Sequence, residues 1–365
     1  MISKQLPLYD LAEWKNGLAF RKIDFSNKGK PVIKIAELKN GITGQTQFTN
    51  GNYGEAVSLT RGDMVFSWSG NPETSIDVFW YDLPDGWLNQ HIFNVSPSEC
   101  VDKKYLYYLL KSLKPTFTAI ASNKQTTGLG HVTIKDLKEL IIDLPTRSTQ
   151  EAISNYLYAL DSKIHLNKQL NDNLQQQAHA IYVSMFITNA DHSWQQGHLS
   201  NLVIVKYGKD HKKLADGNYP VYGSGGIMRY VECPLYDQES VLIPRKGTLN
   251  NVIYVNQPFW SVDTMFYTEM RLPNVAKFVY HFVKSKDLAS MNTGSAVPSM
   301  TTDILNAMEV VIPSAAALEE FERIVSPMYK EMQENDKQST ALGTLRDILL
   351  PKLMSGEIDV SSIQL

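Results

Sequence analysis

Two short stretches of this sequence carry side chains that can address a polyanion or the edge of a base. One is Ser67-Trp68-Ser69-Gly70-Asn71; the other, 177 residues on, is Pro244-Arg245-Lys246-Gly247, followed by Thr248 and Asn250. Other polar loops accompany them: Gln90 and His91, matched 173 residues later by Asp263 and Thr264; Ser122–Gly128 with Lys124 and Gln125; and Gly223–Gly226 with Ser224. Cations gather twice, as Lys15, Arg21, Lys22, Lys28, Lys30, Lys34 and Lys39, then as Lys206, Lys209, Lys212 and Lys213 with Arg229 beyond. Lys and Arg neutralise phosphates, while Asn, Gln and Arg reach base edges through paired hydrogen bonds. Taken singly, each such residue is an ordinary solvated loop position. Occurring as two matched sets, they point to nucleic-acid binding.

Bond-making chemistry has no such support. Gly223–Gly226 and Gly128–Gly130 lack the strand, helix and remaining glycines of a phosphate-cradling loop. The eight His and two Cys fall into no HExxH or CxxC spacing, so no metal site is expected. Asn71-Pro72 starts like an Asn-Pro-Pro-aromatic methyl-transfer loop, but Glu73 and Thr74 follow and the essential part is missing. Cys100 and Cys233 are far apart and read as free thiols of a reducing compartment. No apolar run approaches a membrane span and the N-terminus lacks the apolar core of a secretory signal, so a cytoplasmic protein without a membrane partner is expected. At 365 residues the chain can form two or three domains, and its net charge of −3 decides nothing, because a footprint depends on clustering.

The elements that must position these loops are themselves duplicated. Leu144-Pro145 returns as Ile312-Pro313, Leu137 as Leu305 and Leu140 as Met308, each 168 residues later. A helix follows at the same offset with no insertion. Its apolar ladder is Ile153, Leu157, Leu160, Ile164, then polar Asn167 and Asn171, then Leu174, Ala178, Ile181 and Met185. The second ladder is Phe321, Val325, Met328, Met332, then Asn335 and Ser339, then Leu342, Arg346, Leu349 and Leu353. Alternating spacings of four and three over roughly five heptads mark a coiled-coil seam, and the shared Asn rung can fix its register. A helix of roughly 38 residues is a rod about 57 Å long.

Upstream of each rod the copies match with a drifting offset. Lys104–Ser112 aligns with Lys277–Ser285, Trp87 with Trp260, Gly70 with Gly247, and Gly29 with Gly217. The bodies mix short β-type runs with one amphipathic helix each, which predicts an α+β fold with a twisted sheet. The expected domains are 1–147, 148–190 (rod), 191–313 and 314–365 (rod and tail). Two antiparallel rods between two repeated bodies would give the chain internal pseudo-two-fold symmetry. Trp87 and Trp260 are expected in the body cores.

The duplication, Pro220–Ile227, Ser240–Val255, Trp260–Tyr267 and the junctions at Pro145 and Pro313 together resemble the specificity subunit of type I restriction-modification enzymes, over nearly the whole chain. The resemblance implies two target-recognition domains, each followed by a spacer helix. It implies a non-catalytic subunit that binds a bipartite, asymmetric double-stranded DNA target. Two methyltransferase subunits would join it, with restriction subunits as further possible partners. S-adenosylmethionine would serve the methyltransferase, and no cofactor this chain. The Ser67–Gly70 loop, its counterpart at Pro244–Gly247, and the pairs Gln90/His91 and Asp263/Thr264 then stand where such domains present residues to DNA. Trp68 replaces a basic residue there, so its loop can pack or stack instead. Two other readings remain open on the residues alone: an assembly protein that holds protein partners with its rods, and an enzyme acting on nucleic acid by itself.

Overall fold

The computed structural model describes residues 4–125, 128–291 and 299–360. They form two compact units, Met1–Leu166 with Gln338–Leu365, and Asn167–Lys337. Each unit contains one α+β body and part of each long helix.

The first unit is built on the sheet β1 (Ala12–Asn16), β6 (Ile92–Pro97), β3 (Met64–Ser67) and β4 (Asp77–Trp80), in that order and antiparallel throughout. Strand β3 shows why the sequence makes a sheet here. Met64 and Phe66 enter one core with Phe93, Leu106 and Phe117, while Val65 between them enters a second core with Ile33, Leu88 and Ile92. A strand with both faces covered reads as a continuous apolar run. A smaller sheet holds β2 (Lys30–Ile33) parallel to β5 (Gly86–Leu88). Helix α1 (Lys103–Ser112) begins where the Asp102 carboxylate accepts from the Tyr105 N–H at 2.8 Å, and it packs Tyr105, Leu106 and Leu109 into the larger core.

The second unit repeats this plan. Its sheet runs β7 (Val203–Tyr207), β13 (Met265–Met270), β10 (Ser240–Pro244), β11 (Ile253–Val255), with every neighbour antiparallel. Strand β8 (Asp216–Gly223) forms a hairpin with β9 (Gly226–Val231) and lies parallel to β12 (Trp260–Ser261). Val241 and Ile243 face one core and Leu242 the other, the same alternation as in β3. Helix α3 (Ala276–Lys284) takes the place of α1. Trp87 and Trp260 are buried in equivalent cores, as the sequence predicts.

The long helices are α2 (Arg147–Val183) and α4 (Ala315–Met354). Both start two residues past the Pro145 and Pro313 junctions, where the Thr146 and Ser314 hydroxyls accept from the Thr149 and Ala317 N–H groups. In the first unit they pair antiparallel: Ile153 and Leu157 share a core with Leu353, and Asp161 meets Arg346 at 2.6 Å. In the second unit the pairing is pinned by asparagines. Asn167 Nδ2 donates to the Asn335 carbonyl at 3.3 Å, Asn335 Nδ2 to Asn171 Oδ1 at 2.9 Å, and Asn171 Nδ2 to Asp336 Oδ1 at 2.8 Å. A slip by one rung would break these bonds around the buried Asn167 and Asn335, which is how they hold register.

Near the second body the seam departs from the expected ladder. Tyr182 and Phe186, 2 % and 4 % exposed, take the buried positions assigned by spacing to Ile181 and Met185. Tyr329 likewise goes deeper than Met328. Here α2 faces Phe278 of α3 as well as Phe321 on its partner helix, so the apolar stripe follows the 3.6-residue period rather than the heptad. A π turn at Ser184–Thr188 closes the helix, with the Asn189 N–H on the Ser184 carbonyl at 3.0 Å.

Candidate nucleic-acid interface

Some of the loops singled out in the sequence meet within each body, held by a set of backbone hydrogen bonds that both units repeat. In the first unit the Trp68 N–H donates to the His91 carbonyl at 3.2 Å, and the Trp68 carbonyl accepts from the Val132 N–H at 2.8 Å. In the second unit Arg245 stands in the place of Trp68. Its N–H donates to the Thr264 carbonyl at 2.9 Å, and its carbonyl accepts from the Met300 N–H at 2.9 Å. The end of the first strand closes the same clamp. Gly17 N–H reaches the Ile92 carbonyl at 3.1 Å, and Gly208 N–H the Met265 carbonyl at 3.0 Å. Leu18 N–H and Lys209 N–H then bond the Leu88 and Ser261 carbonyls at 2.9 and 2.8 Å.

Glycine is required at both crossings. A Cβ at Gly17 would lie 2.2 Å from the Asn89 carbonyl oxygen, and one at Gly208 2.1 Å from that of Val262, far inside van der Waals contact. These glycines and the residues before them, Asn16 and Tyr207, were not among the sequence candidates. A signal existed: Lys15-Asn16-Gly17 recurs as Lys206-Tyr207-Gly208 at the end of the corresponding strand.

On this common frame the side chains differ. Trp68 is half-buried, stacks on Phe93 with ring centroids 5.6 Å apart, and lies 5.7 Å from the His91 ring. Its indole N–H donates to Asn16 Oδ1 at 3.1 Å. Arg245 lies with its guanidinium 5.4 Å from the Tyr207 ring, and its Nη1 donates to the Asp263 carbonyl at 3.1 Å. Beside Arg245, the exposed Lys246 pairs in a short bridge with Ser299, as Ser69 does with His131. Ser224 joins this cluster: its carbonyl accepts from Asn251 Nδ2 at 2.8 Å, and its side chain abuts Gly247. Gln90 and His91 adjoin Trp68, with Gln90 Nε2 3.0 Å from His91 Nε2.

The remaining candidates sort by what already holds them. Ser67 is fully buried, 0 % exposed, and its hydroxyl faces the protein interior rather than the loop surface. Asn71 caps a helical turn, its oxygen accepting from Glu73 and Thr74 N–H at 3.1 Å each. Asn250 spends its amide on the 287–289 loop, donating to Asp287 and accepting from the Ala289 N–H, both at 3.0 Å. That bond, ahead of other influences, holds the Asp287 carboxyl below the usual range. Lys124 is paired to Asp136. Burial by itself would raise the Asp136 carboxyl, but Lys124 and Thr133 outweigh it and hold it low. Gln125 is exposed, next to Thr126 and Thr127, which lie outside the described residues. Arg21 and Lys22 are exposed on a 3-10 turn closed by Asp24; Lys209, Lys212 and Thr248 are exposed, and Thr264 is half-buried. Among the described residues no cluster of His, Cys, Asp or Glu could hold a metal, and no helix is long and apolar enough to cross a membrane.

Residues 3–176 and 193–340 match the model of the type I restriction modification DNA specificity domain, once for each body with its helix. The chain belongs to this family. Its role is accordingly DNA sequence specificity in type I restriction-modification. It is 22 % identical to the type I restriction enzyme MjaIX specificity subunit of Methanocaldococcus jannaschii, over 91 % of this chain and 90 % of that one. To the HindI specificity subunit of Haemophilus influenzae it is also 22 % identical, over 82 % and 87 % of the two chains. The crystal structure of a type I restriction-modification S subunit from M. genitalium shares the fold, with a TM-score of 0.59 and 20 % identity over 97 % of this chain and 96 % of that one.

Proposed function

We propose that the two loop clusters each read one half of a bipartite, asymmetric double-stranded DNA target. The chain itself is a non-catalytic subunit that binds no cofactor. It recruits two methyltransferase subunits, which use S-adenosylmethionine, and accepts restriction subunits onto the same assembly. The observation that carries this reading is the duplicated backbone clamp presenting different side chains, Trp68 in one unit and Arg245 in the other. A repeated frame with diverged readers suits two unlike half-sites better than a palindrome. Arg245, Lys246, Thr248, Ser224, Lys209 and Lys212 supply base and phosphate contacts in the second cluster; Trp68, Ser69, Gln90, His91, Arg21 and Lys22 do so in the first. The paired rods are the docking surface for methyltransferase, with Leu345 and Ile348 exposed side by side on α4.

The test is selection from a pool of randomised duplexes by the chain purified together with its methyltransferase, at two salt concentrations. The expected result is one motif of two short blocks with a fixed gap, bound with an affinity that falls steeply with salt as counterions are released. Binding indifferent to sequence would refute the reading and favour an assembly protein.

A further inference from the structure

In each unit the strand-end residue just before the crowded glycine touches the side chain at the tip of the reading loop. Asn16 accepts the Trp68 indole N–H, and the Tyr207 ring lies against the Arg245 guanidinium. The two couples occupy the same place on the same backbone frame. We propose that Asn16 and Tyr207 are positioning residues, and that the couples Asn16–Trp68 and Tyr207–Arg245 each fix base preference at one position of their half-site, an A·T pair for the first and a G·C pair for the second. This rests on the reading of the chain as a two-headed DNA specificity subunit.

The base assignments follow from which groups remain for a ligand. In the second unit Nη1 of Arg245 is held by the Asp263 carbonyl, and the plane is held by Tyr207. Its Nε and Nη2 carry no hydrogen bond among the described residues, so the guanidinium keeps a two-pronged donor edge, the complement of guanine O6 and N7. In the first unit the Trp68 N–H is already satisfied by Asn16, and one ring face by Phe93. What is left of the indole is an apolar edge that suits the thymine methyl group, and the exposed Asn16 beside it keeps its Nδ2 amide to donate to thymine O4 or adenine N7. An asparagine at the strand end serves Trp68 because it accepts a hydrogen bond. A tyrosine serves Arg245 because its ring, not its hydroxyl, meets the cation.

The experiment is adenine-methylation mapping in cells carrying the full complex with wild-type chain or single variants, with a thermal melt of each purified chain. Arg245→Ala should make one G·C position of one half-site degenerate, lowering its discrimination about tenfold to a hundredfold and leaving the other half intact. Tyr207→Ala should weaken discrimination at that same position, and Tyr207→Phe should restore it. Asn16→Ala should relax one A·T position in the opposite half, and Asn16→Asp, which keeps an acceptor but lacks the amide donor, should restore it in part. If the wild type marks a bipartite motif that these variants leave unchanged, or if Tyr207→Ala and Asn16→Ala depress methylation equally at all positions of both halves, the inference falls and the two-headed reading stands. A wild-type chain that marks no bipartite motif would overturn both.

Discussion

Lys277 on α3 is 4 % exposed, yet it is a charge in the core of the second unit. Its Nζ lies 2.6 Å from Glu322 Oε1 on α4 and 3.1 Å from Oε1 of Glu239, the residue before β10, with the Tyr254 and Tyr329 rings at 5.2 and 5.6 Å. Glu239 also accepts from the Tyr254 hydroxyl; burial first, and this bond second, push that phenol far above its ordinary range. Replacing Lys277 by Met keeps the volume and the packing of the stem but leaves two carboxylates facing each other. Glu322 is only 21 % exposed and already has one buried oxygen without a partner, so it recovers little hydration. Breaking such a pair from one side costs roughly 3–5 kcal/mol when both partners are buried. Because Glu239 remains 40 % exposed and can recover hydration, about 3 kcal/mol is the appropriate figure for Lys277→Met. In a unit of this size that corresponds to a fall in Tm of roughly 6–12 °C. The double variant Lys277→Met, Glu322→Leu removes the stranded carboxylate and should recover most of the loss. Calorimetry of the full chain, with hydrogen exchange to place the weakening in α3, measures both. A single variant as stable as wild type, or a double variant worse than the single, would refute the reasoning.

Three further outcomes follow from particular contacts. Asn335→Leu should cost about 1–2 kcal/mol by denaturant unfolding, because Asn171 Oδ1 loses its donor inside the helix pair, and adding Asn171→Leu should return part of it. Gly343→Ala, in mid-helix on α4 with nothing within 4 Å of the new methyl, should stabilise by about 0.5–1 kcal/mol, whereas Gly208→Ala, whose methyl would meet the Val262 carbonyl at 2.1 Å, should destabilise by about 1–3 kcal/mol. For Asp77, burial pushes the carboxyl up, but Lys111 and Lys114 at 2.9 and 2.8 Å together hold it below its usual 3.8. The ionised form therefore stabilises the fold above that value, and this contribution is lost as pH falls through the depressed pKa. Asp77→Asn should be less stable than wild type at neutral pH, and the gap should close in acid; a gap independent of pH would contradict the assignment.

The large plan was legible because it is written in local patterns that survive duplication. The rods kept an ungapped offset, since an inserted residue would rotate every later rung out of the seam, and Leu157, Ala178, Phe321 and Leu353 are buried where the spacing puts them. The loops Trp68 and Arg245 were found by the same repeat. What spacing could not reveal was which polar groups are already occupied. Ser67, Asn71, Lys124 and Asn250 have the right chemistry for DNA, but the first is enclosed by the sheet and the others are bonded to Glu73 and Thr74, Asp136, or the 287–289 loop. Those partners are brought in by tertiary folding, as are the crowded carbonyls that demand Gly17 and Gly208. The exchange of Ile181 and Met185 for Tyr182 and Phe186 has the same origin, a helix turned toward a body that heptad counting does not contain.

The central claim, that one chain reads two unlike half-sites for a methyltransferase, is tested most directly by mapping adenine methylation across the host genome with and without this gene. The account predicts one bipartite, asymmetric motif with a fixed gap, methylated on both strands and lost on deletion. A methylation map that the deletion leaves unchanged, in cells that express the chain bound to an active methyltransferase, would contradict it.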